Sequence, residues 1–257
     1  MLIDRFRLDG RRAFITGGAT GIGLTAALAF AEAGADVVIA GPEEAALTRA
    51  QHELESKGYA VATERLDITQ SEACQEAADR TNRDRGLVDI LVANAGVTWP
   101  DTAAEDLTDE AWRKLFDVNV HGTFWTCRAF GRHMLERKSG SVVTTGSISG
   151  VISNKPQRQA HYNSSKAAIH HLTKCLAGEW ATRGVRVNCV APTYVNTSMS
   201  NGNANKPYYF GPWMDFTPMG RMVEPEEIAA VMLFLASEAS SAMTGAVVLA
   251  DAGYTVW

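Results

Sequence analysis

Seven short apolar runs rich in β-branched residues alternate with longer stretches of helical periodicity, and this alternation limits the fold more than any other feature of the chain. "RRAFITG", "ADVVIA", "YAVATERLD", "VDILVANAG", "GSVVTTGS", "VRVNCVAP" and "GAVVLAD" read as strands. Between them lie helical patterns such as "LTAALAFAEAG", "EEAALTRAQHELESKG" and "DEAWRKLFDVNVHGTFWTCRAFGRHMLERK". Nearly continuous apolar strands separated by helices imply an α/β fold with a parallel sheet covered on both faces. At 257 residues, 46% of them hydrophobic, one such domain accounts for the chain, and no repeat or linker divides it.

Composition excludes several function classes. A net charge of -5 gives no electrostatic reason to expect nucleic acid or an anionic membrane as partner. The opening "MLIDRFRLDG" has no signal-peptide core and no later run reaches membrane-spanning length, so a cytoplasmic protein is expected. Cys74, Cys127, Cys175 and Cys189 show no metal-ligand or Cys-x-x-Cys spacing. They read as reduced, mostly buried thiols, with neither disulfides nor a metal site expected.

Two motifs carry chemistry. "TGGATGIG", Thr16 to Gly23, follows a strand and opens a helix. Glycines there permit a tight turn and close approach to a pyrophosphate, and the free N–H groups of the helix start favour negative charge. Strand-to-helix turns use glycine for structural reasons too, but the strand before and the helix after point to dinucleotide binding. In "HYNSSK", Tyr162 and Lys166 are four residues apart and share one face of a helix.

With these motifs the chain resembles the short-chain dehydrogenases/reductases over nearly its whole length. Gly17, Gly21 and Gly23 fit that family's glycine motif, and Asn94-Ala95-Gly96 its "NAG" after the fourth strand. Asp67 in "RLDIT" is similar to its adenine-contacting aspartate, although a helix cap is the structural alternative. Asn119 in "VNVHG" is similar to the asparagine whose local helix distortion holds a proton-relay water. The resemblance implies a single-domain Rossmann fold with a seven-stranded parallel sheet. It also implies a homotetramer, with Trp112 to Met134 and Ala167 to Trp180 at one interface and "GYTVW" near another. The implied cofactor set is Gly17, Thr20, Gly21, Ile22, Gly23, Gly41, Asp67, Ile68, Asn94, Ala95, Gly96, Tyr162, Lys166 and Pro192, with Val195 and Thr197 toward the carboxamide.

Hydride transfer between a carbinol carbon and a nicotinamide needs a base for the hydroxyl proton, or an acid in reverse. A phenol with a pKa of about 10 is poorly suited to neutral pH. An ammonium about 4 Å away, at an effective dielectric of about 20, favours phenolate by roughly 4 kcal/mol, or about 3 pKa units. The spacing therefore allows Lys166 to activate Tyr162, and by resemblance Lys166 also holds the nicotinamide ribose. "TTGSISG" offers two serines to polarise the substrate oxygen. The resemblance implies one such serine, usually thirteen residues before the tyrosine, which selects Ser149, whereas the preceding "GS" and the strand end select Ser147. Strand-end geometry is the stronger constraint, so Ser147 is expected to be catalytic and Ser149 to line the substrate pocket.

The chain departs from the family pattern twice. The second strand usually ends in an acid that receives the adenosine ribose, but here Gly41 stands there, followed by Pro42. An NADP enzyme is expected to place a basic residue there or in the glycine loop, and Gly18, Ala19 and Pro42 supply none. Glu43 and Glu44 make the corner acidic, which favours NAD over NADP, though the same acids also suit a first helical turn. Later, Thr193 replaces the usual glycine in "APTYVNT". Residues 194–216 stand where the family has a substrate lid, and Tyr208, Tyr209, Phe210 and Trp213 suit either closure over a site or an oligomer contact.

"VISNKPQRQAHY" brings Asn154, Gln157, Gln159 and His161 near Tyr162, alongside Ser149, Trp99 and Tyr194. Neutral hydrogen-bonding groups suit a polyhydroxylated substrate. With "FRLDG" and "GTFWTCRAFGRHM", the chain is most similar to the polyol dehydrogenases of the family, which implies oxidation of a polyol to a ketose. The rival readings are a ketone or acyl-thioester ketoreductase using NADPH and a non-catalytic dinucleotide sensor. The adjacent His170 and His171 cannot face one another on a helix and are expected to be surface or partly buried.

Overall fold

The computed structural model describes residues 1–200 and 206–257. Seven parallel strands form one sheet: β1 Arg12–Thr16, β2 Asp36–Gly41, β3 Ala62–Arg65, β4 Ile90–Ala93, β5 Gly140–Thr145, β6 Val185–Pro192 and β7 Val247–Ala250. Their order is β3-β2-β1-β4-β5-β6-β7. The chain thus winds outward from β1 to β3, crosses back to β4 and winds the other way. β1 and β4 are neighbours, so the loops after them diverge and leave a crevice at the carboxyl ends of the strands.

The helices are α1 Gly21–Glu32, α2 Glu44–Ser56, α3 Ser71–Arg85, α4 Asp109–Phe116, α5 Thr123–Glu136, α6 Ala160–Trp180, α7 Pro207–Asp215 and α8 Pro225–Ala236. Alternation along β1 shows why two layers form. Ala13 and Ile15 pack with Ala26 and Phe30 of α1 and Ile228 and Met232 of α8. Phe14 joins Phe130 of α5 and Trp180 of α6 on the other face, and its ring centroid lies 4.3 Å from that of Phe130. Period-2 side chains thereby bury both faces, and residues that end these strands are carried to the crevice.

One expected strand is shorter: the run "YAVATERLD" yields only Ala62–Arg65 as strand, and β3 pairs on one side alone. The helical stretch that begins at Asp109 carries a local distortion at Asn119, as the resemblance implies: one π-helical turn, Asp117–Gly122, lies between α4 and α5. An extra residue in that turn rotates Asn119 inward, where it is 1% exposed. Three of the four cysteines are buried, Cys175 is exposed, and all four are free. No helix among the described residues is long and apolar enough to cross a membrane.

Candidate active site

The turn between β1 and α1 is shaped by glycines that no side chain can replace. Gly17 has φ 63°, and a Cβ on it would lie 2.9 Å from the Ala95 Cα. At Gly23 a Cβ would lie 2.1 Å from the Gly17 carbonyl oxygen. Gly21 opens α1 with φ 51° and faces the Thr197 side chain. Thr20, the N-cap, makes no side-chain cap, and the first turn of α1 holds no acid. Such an N-terminus has its N–H groups available to an anion. A pyrophosphate therefore suits this cradle.

Asn94 braces the cradle from β4. Its Nδ2 donates to the carbonyls of Thr16 and Gly17 at 3.2 and 3.3 Å, and its Oδ1 accepts the Thr145 hydroxyl at 3.2 Å. The side chain thus joins the ends of β1, β4 and β5. Gly96 follows, where a Cβ would lie 3.3 Å from the Asn119 Oδ1, a tight contact, and in ordinary contact with the Lys166 Nζ.

The Tyr162–Lys166 pair sits beside the end of β5. Lys166, 5% exposed, donates from Nζ to the Thr145 carbonyl at 2.9 Å and lies over the Tyr162 ring, 5.7 Å from its centroid. Burial pulls the Lys166 ammonium down to about 8. Burial also raises the Tyr162 phenol above its ordinary value, with a hydrogen bond from the Ser147 side chain acting in the opposite direction. Desolvation is thus the largest effect on the phenol, with the Lys166 cation close to its ring.

Ser147, and not Ser149, bonds Tyr162. It caps the short 3₁₀ turn Ile148–Gly150, its Oγ accepting the Ser149 N–H at 3.1 Å. Its own N–H points to His170 Nε2 at 3.4 Å. Asn119 reaches the same region: its Oδ1 accepts the Val97 N–H at 2.8 Å, and its Nδ2 donates to the Val97 carbonyl and to Ser165 Oγ. Ser147→Ala is expected to lower kcat by about 100-fold, as loss of an oxyanion donor does. Ser149→Ala is expected to cost less than about tenfold, and steady-state rates on both variants check the assignment.

The comparisons agree with this geometry. A family model described as enoyl-(acyl carrier protein) reductase matches residues 17–255. Two galactitol 2-dehydrogenases are similar over almost the full length. The one from Rhizobium johnstonii is 47% identical over 99% of this chain and 98% of its own. The L-tagatose-forming one from Cereibacter sphaeroides is 50% identical over 98% of each. The solved structure of gox2181 superposes with a TM-score of 0.98 at 48% identity, covering 100% of both chains. The chain belongs to the short-chain dehydrogenases/reductases. It is an NAD(P)-dependent oxidoreductase. Another solved member, a gluconate 5-dehydrogenase from Burkholderia cenocepacia in complex with NADP and tartrate, has a TM-score of 0.94 at 32% identity over 100% of each chain.

The remaining expected positions of this family member divide into those the fold gathers and those it sends elsewhere. Asp67 is exposed and its Oδ1 accepts the Thr69 N–H and hydroxyl, while Gln70 occupies the N-cap position of α3 without a side-chain capping bond. Ile68 is buried beside Gly122. Val195 is buried and bridged to Val223. Thr193 takes the glycine position without a left-handed backbone, and its buried hydroxyl has no hydrogen-bond partner among the described residues. Pro192 ends β6, and Trp99 is half-buried after β4.

Four of the residues expected near the substrate, Asn154, Gln157, Gln159 and Tyr194, form one network. The Tyr194 hydroxyl accepts from Asn154 Nδ2 at 3.2 Å and Gln157 Nε2 at 2.8 Å, and Gln159 Nε2 bonds the Asn154 Oδ1. Trp213 of α7 stacks on Tyr194 with centroids 3.9 Å apart and donates to Gln157 Oε1. Tyr209 donates to Asp101, which also holds Arg158. The four aromatics grouped in the sequence therefore separate: Tyr209 and Trp213 face the loop of residues 151–159, whereas Tyr208 and Phe210 are exposed. Residues 201–205 of the expected lid lie outside the described residues.

Two histidines overturn their expected places. His161 is fully buried, and neither ring nitrogen has a hydrogen-bond partner among the described residues, so it does not line the pocket. It shares a helix face with Ser165, which is turned toward Asn119. His170 is buried behind the serine turn, where a Cβ on Gly146 or Gly150 would strike its ring. Burial, with Lys166 and Lys174 nearby, lowers its pKa to about 4, which keeps the imidazole neutral and able to accept the Ser147 N–H. Its position four residues after Lys166 was the available signal. Thr145, which anchors Lys166 through its backbone, carries no sequence signal because any residue has a carbonyl.

Proposed function

We propose that this enzyme oxidises a secondary hydroxyl of a sugar alcohol to a ketose and reduces the ketose in reverse. The observation that carries this reading is the neutral network of Asn154, Gln157, Gln159 and Tyr194, which joins the loop before α6 to the segment after β6 and includes Gln159, the N-cap of the helix that carries Tyr162. Amide and hydroxyl groups exchange one partner for another at small net cost, which suits a substrate bearing several hydroxyls. Similarity to two galactitol 2-dehydrogenases supports the same substrate class.

In oxidation, Tyr162 takes the substrate hydroxyl proton while Ser147 hydrogen-bonds the same oxygen. The nicotinamide, when bound, accepts the hydride. Lys166 holds positive charge by the phenol, oriented by the Thr145 carbonyl. Asn119 fixes the strand-end loop through Val97 and so keeps Gly96 and Lys166 in register. The lid role of residues 194–216 belongs to this reading, with Trp213 and Tyr209 as the latches. So does a homotetramer, supported by the partly exposed Trp112 and Phe124 along α4 and α5.

An initial-rate screen crossing polyols and ketoses with NAD(H) and NADP(H) tests the proposal. Turnover of at least one polyol–ketose pair is expected, with oxidation faster as pH rises because burial holds the phenol protonated at neutrality. Activity confined to simple ketones or acyl thioesters would replace the polyol reading, and cofactor binding without turnover would favour a sensor.

A further inference from the structure

We propose that the adenosine end of the dinucleotide site accepts a 2′-phosphate and that Arg65 is the residue that binds it, so that NADP(H) serves this enzyme. The inference rests on the dinucleotide reading of the glycine cradle but not on the identity of the alcohol. Read along the chain, the glycine loop and the end of β2 supply no basic residue. The sheet supplies one from the next strand.

β2 and β3 are parallel, and Gly41, the last residue of β2, is the register partner of Arg65, the last residue of β3. Adjacent strands lie about 4.8 Å apart, well within the reach of an arginine side chain. The end of β2 is where the adenosine ribose is received in a fold of this type. Arg65 leans toward it, its Nε lying 3.4 Å from the Pro42 carbonyl oxygen. The guanidinium belongs to an exposed residue and forms no ion pair among the described residues. The adjacent Glu64 does not neutralise it, because its carboxylate is bonded by Arg80 of α3.

Gly41 itself points the same way. A Cβ there would meet nothing nearer than Leu47 Cδ2 at 3.9 Å, and its φ is not in the left-handed region. Neither packing nor backbone demands glycine. Its effect is to leave space beside Arg65 and to omit the carboxylate that would repel a phosphate. Glu43 and Glu44 oppose this charge balance, but both are exposed at the start of α2. Solvated carboxylates are screened over about 8–10 Å at ordinary ionic strength, whereas a guanidinium can bind a phosphate through two parallel hydrogen bonds.

Isothermal titration with adenosine 2′,5′-bisphosphate and with 5′-AMP isolates the 2′-phosphate without requiring turnover, and NAD serves as the control for the rest of the site. The wild-type protein is expected to bind the bisphosphate at least about tenfold more tightly than AMP, the worth of a charged hydrogen-bonded pair. Arg65→Ala is expected to bring the two within about twofold while leaving NAD binding unchanged, and Arg65→Lys to retain part of the preference. Equal binding of both nucleotides by the wild type, or a preference untouched by Arg65→Ala, overturns the assignment while leaving the polyol reading intact. Failure to bind NAD as well as the bisphosphate overturns the dinucleotide reading itself.

Discussion

Replacing Tyr162 by phenylalanine is expected to reduce kcat on the order of 10³-fold in both directions while dinucleotide affinity stays within about threefold of wild type, because the ring remains and only the proton-transferring group is lost. The phenol is half-buried, bonded by Ser147 and overlain by Lys166. No neighbouring side chain can take its place: Lys166 is committed to the Thr145 carbonyl, and His170 lies behind the serine turn. Initial rates paired with fluorescence titration of NAD(P)H check the prediction. A variant retaining more than about a tenth of the activity would show that the proton travels by another route. The unliganded phenol is too basic for neutral pH, so the substrate oxygen and the bound cofactor must be part of what lowers its pKa during turnover.

Gly23→Ala is expected to weaken dinucleotide binding at least about 100-fold. Intrinsic helix propensity alone would favour alanine by about 1 kcal/mol inside α1. Packing reverses that preference, since the new methyl would lie 2.1 Å from the Gly17 oxygen and 2.7 Å from the Asn94 Nδ2. Relief requires the loop to move away from β4, which breaks the Asn94 bonds to Thr16 and Gly17 and spoils the cradle. Thermal unfolding with and without NAD or NADP separates the two consequences: the variant should lose most of the ligand-dependent rise in Tm. An unchanged rise would mean that this turn does not hold the phosphates.

Much of the site was legible because its residues lie close together in sequence. A helix fixes Tyr162 and Lys166 on one face, and a strand-to-helix turn fixes the glycines, so local geometry suffices. The preference for Ser147 over Ser149 rests on the same kind of local argument, since the end of β5 constrains position more tightly than the length of the following loop. Contacts across the fold were not legible in this way. His161 reads as a pocket residue from its place beside Tyr162, yet helix rotation buries it, and His170 reads as incidental until its ring is seen packed against Gly146 and Gly150. The aromatic segment is divided in the same way, with Trp213 drawn to Gln157 and Tyr194 while Tyr208 remains exposed.

By itself the sequence determined the parallel α/β sheet, the position of the glycine turn and the tyrosine–lysine pair, because hydrophobic periodicity and short-range spacing act within a single element. Only the tertiary structure decided where Lys166 stands relative to the phenol, which side chains brace the site, and that Arg65 lies beside Gly41. Those relations depend on strand register, helix rotation and burial, which bring together residues far apart in the chain and set the dielectric around them.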